Sequence, residues 1–107
     1  MPKYMIQASY TGDGTKGLMK EGGTKRRDTV AANVKSAGGT LEAFYFAFGE
    51  ADAFVIVDLP DNASAAALSM AVNATGAVSL KTHVLLTPQE IDRATKKSVK
   101  YRAPGKR

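Results

Sequence analysis

His83 is the single histidine of the chain, so it is the first residue to test as an acid, a base or a metal ligand. A neutral imidazole can move a proton at physiological pH. Strand alternation places His83 on one side with Ser79 and Lys81, where it would either line a pocket or pack half-exposed at the edge of a dimer. One imidazole makes a poor metal site, and the chain has no helical His pair and no Glu-x-x-His motif. We therefore expect no metal, and the residues indicate no particular cofactor.

Glu42 is the second candidate for proton transfer, because charged residues are uncommon within strands unless they are paired or functional. Alternation puts Glu42 on the same strand face as Phe44 and Phe46. A carboxylate removed from water there could act as a general base. Tyr45, on the other face, could donate a hydrogen bond to a ligand carbonyl or could instead fill the core.

Asp52 and Asp58 are the other acidic residues of the predicted strands, and both are candidate ligand-binding residues. Asp52 borders a predicted hairpin and Asp58 lies close to Pro60. The simpler interpretation gives both of them a structural role, either solvated or paired with Arg26 or Arg27.

The glycine-rich segment GDGTKG, residues 12–17, resembles phosphate-binding loops, because glycines let backbone amides converge and Lys16 adds positive charge. It is not a P-loop, since the glycine spacing differs and no serine or threonine follows the lysine. We expect residues 10–23 to form a loop. It would be either a mobile lid, with Tyr10 and Lys16 contributing to ligand binding, or a flexible connection.

The elements that must position these residues occur in two similar halves. An Ala-rich helix, a glycine stop and an alternating strand recur at residues 30–48 and 68–86. The pattern predicts strands at 3–9, 40–48, 52–59 and 77–87, helices at 24–37 and from 61 or 62 to Gly76, and a short third helix starting at the Thr87-Pro88-Gln89-Glu90 capping box.

This order is βαββαβ, which predicts a ferredoxin-like α+β fold with two helices on one face of a four-stranded antiparallel sheet. The first helix has Val30 and Val34 on its apolar face and Arg26 elsewhere. We expect a single domain at residues 1–97, followed by a basic, flexible tail at residues 98–107.

Both strands of the central hairpin are apolar on both sides. Phe54 and Ile56 alternate with Val55 and Val57. Leaving several such side chains in water would forfeit a free energy comparable with the whole stability of a domain. The helices cover only one face of the sheet, so we expect a second copy of the chain to cover the other. The result would be a symmetric homodimer with facing sheets, a dimeric α/β barrel, or a multiple of that dimer.

Composition limits the classes of function. The 107 residues include no cysteine, which excludes disulfides and thiol catalysis. Residues 93–107 contain seven of the 15 basic residues and none of the ten acidic ones. Such a tail is typical of a solvated extension, although weak and salt-sensitive contact with nucleic acid is an alternative. No apolar run approaches the roughly 20 residues of a membrane-spanning helix, and the N-terminus lacks the features of a secretory signal. We expect a cytoplasmic protein with no membrane partner.

The sequence from Gly38 to Glu90, and more loosely residues 3–91, resembles the GYD-domain family. The features that carry the resemblance are Tyr10-Thr11, Gly14, Lys16-Gly17, Gly38-Gly39, the Gly49-Glu50-Ala51-Asp52 hairpin, the DLPD run at 58–61, Gly76 and Thr82. The tyrosine for which the family is named would fall at position 51, where this chain has alanine. The resemblance implies a ferredoxin-like dimeric α/β barrel and brings no settled activity, cofactor or catalytic residue with it.

Three functions follow as hypotheses. The first is a non-catalytic homodimeric binding or regulatory protein that holds a small apolar or acidic metabolite between sheet and helices, beneath residues 10–23. The second is a cofactor-independent monooxygenase or isomerase, in which His83 or Glu42 moves a proton and Tyr45 positions the substrate. The third is an adaptor that binds nucleic acid or protein through its basic tail.

Overall fold

The computed structural model describes residues 1–105. Its elements, in chain order, are β1 (Lys3–Tyr10), α1 (Gly12–Glu21), α2 (Gly23–Ser36), β2 (Thr40–Phe46), β3 (Ala53–Asp58), α3 (Asn62–Asn73), β4 (Val78–Leu85) and α4 (Pro88–Thr95). The predicted α+β class is confirmed. In this range no helix has both the length and the apolar character that crossing a membrane requires.

The four strands form one antiparallel sheet in the order β2-β3-β1-β4. This order is consistent with the predicted ferredoxin-like fold. The two inner strands, β1 and β3, are paired on both sides, and their buried residues alternate with more exposed ones. Each inner strand therefore presents one row of side chains to the helices and a second row to the uncovered side, here called the open face.

The core lies between the sheet and helices α2 and α3. Tyr4 and Val57 from the inner strands, Val34 from α2 and Leu59 after β3 are its largest fully buried side chains. Phe44 on β2 packs against the same cluster from the sheet edge. The apolar face predicted for the helix at 24–37, with Val30 and Val34, is the face that packs against the core.

The prediction of a loop at residues 10–23 is wrong, because most of this segment is helical. Thr11 caps helix α1 by accepting a hydrogen bond from the Gly14 amide at 3.2 Å, and its own amide donates to the Ala77 carbonyl oxygen at 3.0 Å. A Cβ atom on Gly14 would lie 2.0 Å from that same oxygen. At least one glycine of this segment therefore permits close packing of a helix. From the sequence alone, the same glycines indicate a flexible loop. Gly22, with φ of 85°, turns the chain directly from α1 into α2.

A β-bulge at Glu42 changes the faces of strand β2. Leu41 pairs with Val57 and Ala43 pairs with Ile56, so Glu42 is the extra residue. Because of the bulge, Leu41 lies on the helix side together with Phe44. The prediction that Glu42 shares a strand face with Phe44 is therefore wrong.

The predicted basic tail falls partly outside the described residues, since Lys106 and Arg107 are not among them. Residues 98–103 are exposed and form neither helix nor strand. Helix α4 precedes them and begins at the predicted capping box, in which the side chains of Thr87 and Glu90 each accept a hydrogen bond from the other residue's amide.

Candidate functional site

The two candidate proton-transfer residues lie on opposite edge strands. His83 is on β4, pairs with Met5 and faces the open side together with Lys81, as predicted from alternation. Glu42 is on β2, at the other edge of the sheet. Three interstrand spacings of about 4.8 Å separate these strands, so the two groups are on the order of 14 Å apart within one chain. The fold does not bring them together.

Glu42 and Asp58 share one partner. The Lys3 ammonium donates a hydrogen bond to the Glu42 carboxylate and another, at 3.0 Å, to the Asp58 carboxylate. The hydrogen bond to Glu42, followed by that to Asp58, raises the pKa of Lys3 above its ordinary value. This cluster lies at the rim of the open face and is solvent-accessible. The predicted pairing of Asp58 with Arg26 or Arg27 is wrong.

Asp52 closes the end of the sheet beside β1. Its carboxylate accepts a hydrogen bond from the Tyr10 amide at 2.8 Å, and its own amide donates to the Ala8 carbonyl at 2.8 Å. Its carbonyl accepts from the Ala47 amide, also at 2.8 Å. The carboxylate therefore extends the β1 pairing past the last strand residue. The alternative of pairing with Arg27 is wrong, because that guanidinium contacts Asp28.

The remaining predicted ligand-binding residues occupy different surfaces. Tyr45 is 72% exposed and pairs with Phe54 on the open face. Lys16 is exposed on helix α1. Tyr10, at the end of β1, lines a cleft on the helix side of the sheet. The predicted binding residues therefore do not form one site, and only Tyr10 borders this cleft.

The cleft has a volume of about 660 Å³ and lies between helices α1, α2 and α3 above one end of the sheet. Its lining includes Gly14, Gly17 and Leu18 from α1, Arg26, Asn33 and Ala37 from α2, Leu68, Ala71 and Val72 from α3, and Val78 at the start of β4. An inner cavity of about 50 Å³, between α2 and the sheet, shares Tyr10, Arg26 and Asn33 with it. The position agrees with the predicted binding space, with helix α1 in place of the predicted loop.

Arg26 is the residue of this cleft that sequence reasoning missed. Its Nε atom is buried and finds no acceptor among residues 1–105. Its position was predicted to lie away from the apolar face of α2, yet it borders the inner cavity beside Val30 and Val34. The signal was present in the spacing, because residues 26, 30 and 34 follow one another at helical period.

No cluster of metal ligands is found at the site among residues 1–105. Within this described part of the chain, no three His, Asp or Glu side chains come together in a way that could hold a metal ion. The polar groups of the site are the guanidinium of Arg26, the amide of Asn33, the phenol of Tyr10 and the hydroxyls of Ser36 and Thr75, and Asp13 and Glu21 border it on the α1 side. Such a set can orient and charge-match a ligand.

Comparisons with curated proteins and with solved structures gave no match. The family model of the GYD domain, by contrast, matches residues 4–95 of the 107. That range runs from the second residue of β1 to the last residue of α4 and includes the whole sheet core and the cleft. The chain therefore belongs to the GYD-domain family, in agreement with the resemblance in its sequence.

Proposed function

We propose that this protein is a homodimeric binding protein that holds a small apolar or acidic molecule in the cleft between α1, α2 and α3. The observation that carries the proposal is the cleft itself. Its volume of about 660 Å³ lies within the roughly 300–1,000 Å³ typical of small-molecule sites. Apolar side chains from α3 and β4 form most of one wall, and few polar groups converge on it.

A binding role fits the placement of the polar residues better than a catalytic one. His83 and Glu42, which carried the monooxygenase or isomerase hypothesis, belong to different edges of the sheet and do not line the cleft. Within the cleft, Tyr10 and Asn33 can donate or accept hydrogen bonds.

The exposed apolar residues of the open face support the homodimer. Phe54 is 36% exposed although it lies on an inner strand, and Tyr45 beside it is 72% exposed. Ile56 and Met5 continue the same apolar patch in the next row of the sheet. A second copy suits this surface because its apolar residues lie centrally on β1 and β3, so a two-fold axis there would place apolar on apolar. Lys3 with its two carboxylates would then lie at the rim.

The dimer is tested by sedimentation equilibrium at micromolar concentration. Phe54→Arg places a charge in the centre of the proposed interface and should give a monomer. Met70→Arg is the matched control, since Met70 is 66% exposed on α3, on the opposite side of the sheet. A wild-type protein that is monomeric at this concentration would contradict the proposed assembly.

The cleft is tested with phenylnaphthylamine, a neutral probe whose fluorescence rises in apolar surroundings. Ala71→Trp introduces an indole from the α3 wall of the cleft and should abolish saturable binding. Met70→Arg again serves as the control, because Met70 does not line the cleft. Native mass spectrometry of the freshly purified protein reports the subunit count and any retained small molecule together. Unaltered probe binding in Ala71→Trp would refute the cleft as the binding site.

A further inference from the structure

Arg26 occupies a position where a charge is costly unless it has a partner. It lies one helical turn before Val30 and two turns before Val34, which is fully buried. The side chain as a whole is partly exposed, and its guanidinium carries a positive charge and five N–H donors in a fixed fork. Its Nε donor is nevertheless out of contact with water and with every acceptor of residues 1–105.

The neighbours of Arg26 do not satisfy it. Asp13 and Glu21 border the cleft from α1, but both are exposed, and neither carboxylate lies within 4.0 Å of the guanidinium. The adjacent Arg27 has the opposite arrangement, with an exposed side chain and a 3.0 Å contact to Asp28. Two consecutive arginines thus differ in both exposure and pairing.

The space around Arg26 defines the shape of a suitable anion. Arg26 borders both the outer cleft and the inner cavity, whose other walls are the apolar side chains of Val30, Phe44 and Val55, among others. Across the outer cleft, Ala71 and Val72 of α3 offer a further apolar wall. A ligand that pairs with the guanidinium and also contacts the apolar walls has one anionic group and a compact apolar body. The carboxylates of α1 disfavour a polyanion.

We propose that the cleft selects apolar monoanions, and that the guanidinium of Arg26, which borders the cleft, binds their carboxylate or an equivalent acid group. This inference rests on the proposed function, since it names the ligand class of the same cleft. A charge-assisted hydrogen bond in a site shielded from water is stronger than a neutral one and fixes the orientation of the ligand.

The test compares two fluorescent probes with the same aromatic rings, the neutral phenylnaphthylamine and the anionic anilinonaphthalene sulfonate. The wild-type protein should bind the anion more tightly. Arg26→Met should weaken anion binding by about tenfold to a hundredfold and change the affinity for the neutral probe by less than about twofold. Arg27→Met, one residue along the same helix, should leave both affinities unchanged. Ala71→Trp should abolish the fluorescence increase of both probes, because the indole fills the cleft. This result would show that both probes bind there.

The stability of Arg26→Met provides a second readout. If the unpaired guanidinium serves a ligand, its replacement by an apolar side chain of similar length should keep or raise the midpoint of urea denaturation of the ligand-free protein. A lower midpoint than in Arg27→Met would identify a structural arginine and overturn the inference.

The remaining outcomes separate the inference from the proposed function. Equal affinity of wild type and Arg26→Met for the anion would overturn the role of Arg26, while binding of the neutral probe would leave the cleft as a ligand site. Failure of both probes to bind the wild-type protein would refute the proposed function and the inference with it.

Discussion

Gly14 lies where helix α1 closely approaches the turn before β4, and Gly14→Ala should loosen this helix. An added Cβ atom would lie 2.0 Å from the carbonyl oxygen of Ala77, whereas ordinary contact begins at 3.4 Å. Since the obstacle is backbone rather than a flexible side chain, helix or turn must move by more than an ångström. Such a shift breaks the hydrogen bonds from the Thr11 amide and hydroxyl to the same oxygen, now 3.0 and 3.2 Å long.

The magnitude follows from these two hydrogen bonds and a matched control. Each bond contributes about 0.5–1.5 kcal/mol, so their loss costs about 1–3 kcal/mol. Gly17→Ala is the control, because Gly17 lies in the same helix and a Cβ there has no heavy atom within 4 Å. Both substitutions raise helix propensity. In Gly17→Ala no clash opposes this gain, so that variant should be more stable than the wild-type protein by about 0.5–1 kcal/mol. We therefore expect Gly14→Ala to be less stable than Gly17→Ala by about 1–3 kcal/mol.

Urea denaturation of both variants measures this difference. Amide hydrogen exchange localises it, since the amides of α1 should exchange faster in Gly14→Ala while those of β1 and β3 stay protected. Because Gly14 and Leu18 line the cleft, a displaced α1 would change its shape, and the affinity for phenylnaphthylamine should fall in Gly14→Ala. Equal stability of the two variants would refute the close approach of α1 to the turn before β4.

Three further predictions concern the core, a tight turn and a helix cap. Leu59→Ala removes a fully buried side chain and should lower the free energy of unfolding by about 2–5 kcal/mol in urea; a loss below about 1 kcal/mol would contradict its position. Gly39→Ala places a Cβ atom 2.1 Å from the Asp58 carbonyl oxygen and should lower the thermal midpoint, whereas Gly49→Ala, with open space around it, should not. A hydrogen bond from a backbone N–H of α3 lowers the pKa of Asp61 below its ordinary 3.8. The stability that Asp61 contributes is therefore present above about pH 4 and lost as the pH falls through the depressed folded pKa. Thermal unfolding of Asp61→Asn should lack this part of the acid dependence.

The elements that the sequence predicts well are those governed by a periodic pattern and a local cap. The inner strand β3 alternates over its whole length, and the start of α3 at Asp61 and of α4 at Thr87 follows from side chains that accept hydrogen bonds within three residues. In these cases the physical cause lies within one turn of the chain. The α+β class and the pairing of β2 with β3 depend only on such local signals.

Helix α1 and the bulge at Glu42 escape prediction for a different reason. The glycines of α1 have low helix propensity, and what holds the helix is a contact between Thr11 and Ala77, which are 66 residues apart. The bulge is stabilised in a similar way, because Glu42 bonds to Lys3, 39 residues before it. Neither partner can be identified from spacing along the chain. The candidate site shares this property, since the cleft exists only once α1 is helical.

Ala51 lies in the lining of a pocket on the open face and not in the cleft on the helix side. It is 8% exposed and lines a pocket of about 330 Å³ on the open face, together with Phe54 and Lys81. The tyrosine for which the family is named would put a larger side chain at this position of the pocket lining. The helix-side cleft is lined by other residues, Arg26 among them, and has no wall in common with this pocket. Alanine at position 51 therefore concerns the face through which we propose that the chain pairs, and not the cleft in which we propose that it binds a monoanion.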